Sequence, residues 1–187
     1  DRIAKYATFR QDNSWKKQII QKIKSADTIL ELACGTGILT RMLAKKFPQA
    51  KITGVDFSET YLDVAKQNCS GFSNITLLHQ DAESLDLEQS FDCICSSYIP
   101  KYCDPKILIP RCKSRLNPQG YIIVHDFIYP KNKPLQIMWN LYFKVLQFTG
   151  CMIPSWRFAF SELPKLIKDS TWVADYTKTL QENNKWQ

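Results

Sequence analysis

Strand-length apolar runs alternate along this chain with stretches in which apolar residues return every three or four positions. The runs fall at residues 28–33, 51–57, 75–80, 91–96 and 121–128. Their cores, TILEL, ITLLH and YIIVHDF, are rich in β-branched and aromatic side chains, as strands of a buried parallel sheet are. Between the first two runs, Leu39, Leu43 and Phe47 share one face of a helix predicted over 37–47. Between the second and third, Leu62, Ala65 and Cys69 do the same over 59–69, with Ser58 as N-cap. Strand and helix in alternation imply right-handed crossovers and hence a doubly wound, mostly parallel α/β sheet with helices on both faces.

The later connections are less regular. Asp104 and Pro105 form a good N-cap and first-turn pair, but Pro110 falls inside the helix that should follow. That helix is expected to kink or to start afresh at Pro110. LNPQGY, residues 116–121, reads as the turn into the fifth strand. Residues 134–150 are apolar on nearly every side, residues 151–164 with Trp156 read as an irregular insert, and a last helix is expected over 170–182. The chain therefore reads as one domain: an N-terminal helical cap (1–27), a core (28–128), and an aromatic helical insert with a last helix (129–187).

Composition narrows the class. No apolar run is long enough to span a bilayer. The seven cysteines, Cys34, Cys69, Cys93, Cys95, Cys103, Cys112 and Cys151, form no C-x-x-C pair, so neither a zinc site nor a disulfide framework is indicated. They read as reduced thiols in a cytoplasmic protein. The net charge of +7 is dispersed, at Lys16 and Lys17, Lys45 and Lys46, Lys113 and Arg115, Lys131 and Lys133. Solvated surface charge explains it, with attraction to an anionic membrane as the alternative. No nucleic-acid motif occurs. The chain opens on Asp1 rather than Met and reads as a trimmed piece.

Candidate chemistry begins at LELACGTGILT, residues 30–40. Gly35 and Gly37 let a backbone bend closely around a ligand at the carboxyl end of the first strand. Asp56 ends the second strand, 19 residues past Gly37, where it can accept hydrogen bonds from ribose hydroxyls. The third position of a dinucleotide fingerprint is Thr40 rather than Gly, which argues against a pyrophosphate ligand.

LELACGTGILT resembles the first motif of the class I S-adenosylmethionine-dependent methyltransferases. VDFSETYLDVAKQ, HQDAESLDLEQSFD, FDCICSS and LNPQGYIIVHDF resemble their later motifs in order. The resemblance implies a loop, with Ala33, Gly35, Thr36 and Gly37, around the methionine half of the cofactor and Glu31 close by. It implies Asp56 on the ribose, Phe57 beside the adenine, Asp81 on the adenine amine, Ala82 against its edge and Ser96 bordering the pocket. DRIAKY and IIVHDFIYPKNKP resemble the UbiE-type enzymes of ubiquinone and menaquinone synthesis. Pro118-Gln119-Gly120, Pro110 and YATF depart from that pattern. The family's closing strand hairpin has no counterpart here and is expected to be missing, leaving an exposed sheet edge.

The resemblance implies transfer of a methyl group from S-adenosylmethionine, without a metal, to a small lipophilic or aromatic acceptor such as a quinol carbon. An unrelated small metabolite, or cofactor binding without catalysis, are the competing readings. Candidate bases are His125 and Asp126, with His125 preferred; His79 is disfavoured. Tyr98 is a candidate acceptor contact, and Trp139, Tyr142 and Phe143 are candidates for the cap of an apolar acceptor pocket, with plain packing as their alternative. The oligomeric state is left open, and peripheral membrane contact is the only macromolecular association indicated.

Overall fold

A computed structural model of the chain describes residues 11–150 and 154–184, apart from the side chains of 149–150, 154–160 and 183–184. Helix α1 (Asp12–Lys22) leads into β1 (Thr28–Leu32), α2 (Ile38–Lys46), β2 (Lys51–Asp56), α3 (Glu59–Cys69) and β3 (Ile75–His79). A single 3-10 turn (Ala82–Ser84) precedes β4 (Phe91–Ser97), α4 (Pro105–Lys113) and β5 (Leu116–His125). Helices α5 (Lys133–Gly150), α6 (Pro154–Asp169) and α7 (Trp172–Asn184) follow.

The five strands form one parallel sheet in the order β3-β2-β1-β4-β5. The chain winds outward from β1 to β3, then crosses back to lay β4 on the other side of β1. That reversal opens a crevice at the carboxyl ends of β1 and β4, where ligands bind in sheets of this kind. Alternation along β1 shows how both faces are filled. Leu30 and Leu32 join Val55, Ile94, Leu108, Ile109 and Tyr176 on one face. Ile29 joins Ile19, Ile20, Leu39, Leu43, Ile52, Cys93 and Cys95 on the other. Five of the six described cysteines are buried, and all six are free thiols. Cys151 lies outside the described residues, as do DRIAKY and YATF.

Caps set the helix starts. Ser58 Oγ accepts the Tyr61 amide, and Asp104 Oδ1 accepts the Lys106 amide with Pro105 opening the helix. Contrary to the expected restart, α4 runs unbroken through Pro110. Only one intrahelical bond is lost there, because the ring needs no donor and Leu108, Ile109 and Cys112 anchor the helix in the core.

Three further expectations are corrected. Residues 116–120 are strand rather than turn: Pro118 is tolerated because β5 lies at the sheet edge, and the register shifts between Phe91–Leu116 and Cys93–Tyr121, with Gln119 at φ 66°. β5 ends at His125, before the expected 128. Residues 154–164 belong to helix α6 rather than to an irregular insert, and Pro164 lies within that helix. Among the described residues no strand follows β5, so one side of the sheet ends on an edge. Also among them, no helix is long and apolar enough to cross a membrane.

Gly37, at φ 76°, marks where α2 begins against α3. An added Cβ there would lie 2.8 Å from Cys69 Sγ and 3.2 Å from Ala65 Cβ. Gly37→Ala is expected to destabilise by about 2–4 kcal/mol, combining left-handed strain with overpacking. Gly35→Ala, at φ 55° with nothing within 4 Å of the added carbon, should cost only about 1–2 kcal/mol from the strain. Urea unfolding of the two variants checks the difference.

Candidate active site

The loop from Ala33 to Gly37 leaves β1 in an unusual backbone form, with φ of 51° at Ala33, 55° at Gly35 and 76° at Gly37. Its neighbours hold it from outside. Cys34 donates its amide to Val55 O at 2.9 Å, and Asn68 Nδ2 donates to Thr36 O at 2.8 Å. Asp56 holds it from inside: Oδ2 accepts the Gly35 amide at 2.7 Å and Oδ1 the Ser58 amide at 2.9 Å. A carboxylate offers about four lone-pair sites, so two remain for hydroxyl donors. Phe57, 74% exposed, stands next to it. His79 Nε2 meets Phe57 O at 2.7 Å and so braces this corner.

Glu31 lies beneath the loop, 2% exposed, and accepts the Thr40 hydroxyl at 2.6 Å. Burial pushes its carboxyl up to about 8, with the Thr40 hydrogen bond and Lys16 opposing. An acid held that way near neutral pH gains most from a cationic neighbour. The Thr40 that breaks the dinucleotide fingerprint is thus the hydroxyl partner of this acid. The open space above Gly35, the unused lone pairs of Asp56 and the buried acid together fit a cationic nucleoside such as S-adenosylmethionine. Among the described residues no group of side chains could hold a metal ion.

The remaining cofactor candidates sit around this centre in different ways. Asp81 caps the 3-10 turn by accepting the Glu83 amide at 3.0 Å, and Ala82 packs in the core beside Val55 and Leu85. Ser96 is wholly buried and donates its hydroxyl to Leu32 O at 2.7 Å. It therefore ties β4 to β1 under the crevice.

Beside the crevice lies an aromatic and charged cluster at the ends of β4 and β5. Tyr98, at φ 76°, is a strained position of a kind that gathers at functional sites. Its hydroxyl donates to Asp12 Oδ1 at 2.7 Å, and its ring stacks on Phe127 at 5.0 Å. Burial, first, and the Asp12 partner push its hydroxyl well above the ordinary tyrosine range. Lys16 pairs with Asp12 and lies 4.9 Å from the Tyr98 ring centre. Trp15 closes over the same group, edge-on to Phe127 at 5.4 Å.

His125 lies among these rings, 5.6 Å from Tyr98 and 6.1 Å from Trp15. Burial holds its imidazolium below the ordinary histidine range. Its Nδ1 is buried with no hydrogen-bond partner among the described residues, so the neutral ring has a nitrogen to spare. Asp126 is occupied otherwise. It meets Lys101 Nζ at 2.6 Å and accepts the Lys101 and Phe127 amides at 3.2 and 2.7 Å. The structure thus separates the two candidate bases: Asp126 is locked in an ion pair and His125 is not.

Trp139 and Phe143 are brought together with Tyr142, but between α5 and α6, against Leu163 and Ile167. Phe127 and Tyr129 link them to the cluster. Sequence reasoning missed Asp12, Trp15, Lys16, Lys101 and Asn68. The signal for the first three was an i,i+4 acid–base pair and a tryptophan on one helix. Nothing local marked Lys101 or Asn68. A cavity of 690 Å³ opens at the opposite end of the sheet, lined by Lys22, Asp27, Asp92 and Tyr121. It lies away from this cluster, so size alone does not locate the chemistry.

This sheet order, with a glycine loop at the reversal and a carboxylate closing the next strand, defines the class I methyltransferase architecture. Residues 29–120 match the methyltransferase domain family, and the fold is that of the class I S-adenosylmethionine-dependent methyltransferases. It is 30% identical over 152 residues to the demethylmenaquinone methyltransferase of Staphylococcus aureus, covering 77% of this chain and 62% of that protein. The chain thus spans less than two thirds of that relative's length. A crystal structure of an S-adenosylmethionine-dependent methyltransferase from Clostridium acetobutylicum is similar at 26% identity and a TM-score of 0.57, covering 69% of this chain and 59% of that one. The N-methyltransferase NodS of Bradyrhizobium japonicum, solved with S-adenosylhomocysteine, shares the fold at 19% identity and a TM-score of 0.55, over 62% of this chain and 61% of that one.

Proposed function

We propose that this protein transfers a methyl group from S-adenosylmethionine to a small lipophilic or aromatic acceptor, by carbon methylation of a quinol-type ring. The reading rests on the convergence of Glu31, Asp56 and the bent loop on one crevice beside an aromatic cluster, and the named activity of the Staphylococcus relative supports the acceptor class. Bound there, the cofactor supplies a methyl already activated on a sulfonium. Asp56 takes the ribose hydroxyls, and Glu31, buried beneath the loop, is the acid that answers the positive charge.

The protein's part in the chemistry is placement, exclusion of water and one proton. Trp15, Tyr98 and Phe127 wall off the crevice, and the flat Tyr98–Phe127 stack suits a planar acceptor lying alongside. His125, neutral near pH 7, takes the proton of an acceptor hydroxyl and so enriches the ring carbon that attacks the methyl. The methylated ring then loses the proton of that carbon to solvent while His125 returns its proton to the oxygen, restoring aromaticity, the hydroxyl and the neutral imidazole. Trp139, Tyr142 and Phe143 flank the route to this wall rather than the reacting atoms.

Calorimetry with S-adenosylhomocysteine, followed by methyl transfer to a short-chain demethylmenaquinol, tests the reading. Asp56→Ala removes two or more charge-assisted hydrogen bonds of about 1.5–3 kcal/mol each and should weaken S-adenosylhomocysteine binding by about 100-fold or more. Undiminished binding by that variant, or no binding by the parent protein, refutes the assignment.

A further inference from the structure

Helix α5 is apolar on two sides, and among the described residues only one is covered. Phe143 and Leu146 are buried against Leu163 and Ile167 of α6. On the opposite side Ile137, Met138, Leu141 and Phe148 are 69%, 66%, 62% and 77% exposed. Their spacing puts them on one helix face. Ile128, in the segment leading to α5, adds to the exposed apolar surface at 60%. A patch of large apolar side chains gathered on one face marks a contact surface, whereas the same residues scattered singly would not.

The charges beside this face identify what meets it. Between Asp126 and Glu162 the chain carries no carboxylate side chain, and beside this face it has Lys131, Lys133 and Lys144. Lys133, Ile137, Leu141, Lys144 and Phe148 follow one another at steps of four, four, three and four, so lysines and apolar residues form a single stripe along α5. A second copy docking on this stripe would bring lysines toward lysines with no acid from the segment to answer them. An anionic lipid surface answers every one of them while taking up the apolar side chains.

We propose that the outer face of α5 is an interfacial membrane-docking surface, lying flat in the headgroup layer of a bilayer that contains anionic lipid. The helix is 18 residues long and carries lysines on the docking side, so it lies on the bilayer and does not cross it. The geometry also gives the contact a purpose, which rests on the methyl-transfer reading. From α5 an aromatic series leads inward: Trp139 edge-on to Tyr129 at 5.0 Å, then Phe127, then Tyr98 stacked on it at 5.0 Å. A lipophilic acceptor dissolved in the bilayer would meet the protein on the side from which its aromatic wall is reached.

Vesicle flotation tests the docking. Phosphatidylcholine vesicles containing phosphatidylglycerol should carry the protein upward, and phosphatidylcholine alone or high salt should reduce binding by at least tenfold. Leu141→Glu should abolish flotation, and Lys133→Glu with Lys144→Glu should weaken it by about tenfold. All three positions are exposed, and none belongs to the crevice. S-adenosylhomocysteine calorimetry on the same preparations should show unchanged affinity. Docking is overturned if the parent protein ignores phosphatidylglycerol vesicles, if Leu141→Glu floats as well as the parent, or if the parent is a dimer that Leu141→Glu converts to monomer. Loss of S-adenosylhomocysteine binding by the parent would instead refute the methyl-transfer reading and leave flotation to be judged by itself.

Discussion

Lys101→Met is expected to cost about 3–5 kcal/mol of stability, the range for removing one partner of a buried ion pair. For a domain with a total of about 5–15 kcal/mol, that is a large share. The Lys101 and Asp126 side chains are 2% and 0% exposed, and their charges meet at 2.6 Å. Burial alone pushes the Lys101 ammonium below its ordinary range, and Asp126 opposes that shift. Take the ammonium away and Asp126 must either stay charged in the interior or take up a proton. Lys101 Nζ also donates to Tyr98 O at 3.0 Å, so the same change loosens the strained residue that carries the aromatic wall. The diagnostic experiment is the pair of substitutions together. Asp126→Asn removes the charge while keeping one of the two oxygens that accept the Lys101 and Phe127 amides, so Lys101→Met with Asp126→Asn should recover part of the loss in urea unfolding. A double variant no more stable than Lys101→Met would show that the buried charge is not the cause.

Glu31→Gln is expected to separate stability from binding. The folded protein holds the Glu31 proton up to about pH 8, against 4.5 for the ordinary carboxyl. Between those values the folded state binds more protons than the unfolded one. Stability therefore falls as pH rises through that window, by as much as roughly 5 kcal/mol at pH 8 and above. Glutamine keeps the oxygen that accepts the Thr40 hydroxyl and has no proton to retain. The ligand-free variant should thus gain over the parent as pH is raised from 5 to 8.5, with little difference at pH 4.5.

Binding should move the other way. If the ionised acid is what answers the sulfonium, parent affinity for S-adenosylmethionine should rise roughly 15-fold from pH 6.5 to 8, with proton release on binding. Glu31→Gln should bind about 10–100-fold more weakly and show no such rise. A parent whose affinity and proton release are flat over this range would dissociate Glu31 from the ligand.

Much of the fold was legible because it is repeated in local signals. The five apolar runs became the five strands, Ser58 and Asp104 became caps, and the glycine loop took its place at the reversal of the sheet. The readings that failed were those in which proline was treated as decisive. Pro110 is carried by core contacts of its helix, Pro118 by its place on an edge strand and Pro164 within a helix that the sequence suggested was irregular. Local propensity is a weak term, and packing overrides it when the remaining residues are well buried.

In the site, the residues on the loop and at strand ends could be named in advance, because chain position dictates their location. The sequence by itself determined the alternation of strands and helices, the loop, and the two carboxylates at the ends of β1 and β2, since periodicity and spacing are properties of one segment at a time. Only the tertiary structure decided that Asp126 is held by Lys101, that His125 Nδ1 has no partner among the described residues, that Asp12 and Lys16 close over Tyr98, and which side of α5 faces water. Each of those depends on groups far apart in the chain, and a partner brought in by folding leaves no trace in the spacing of its own neighbours.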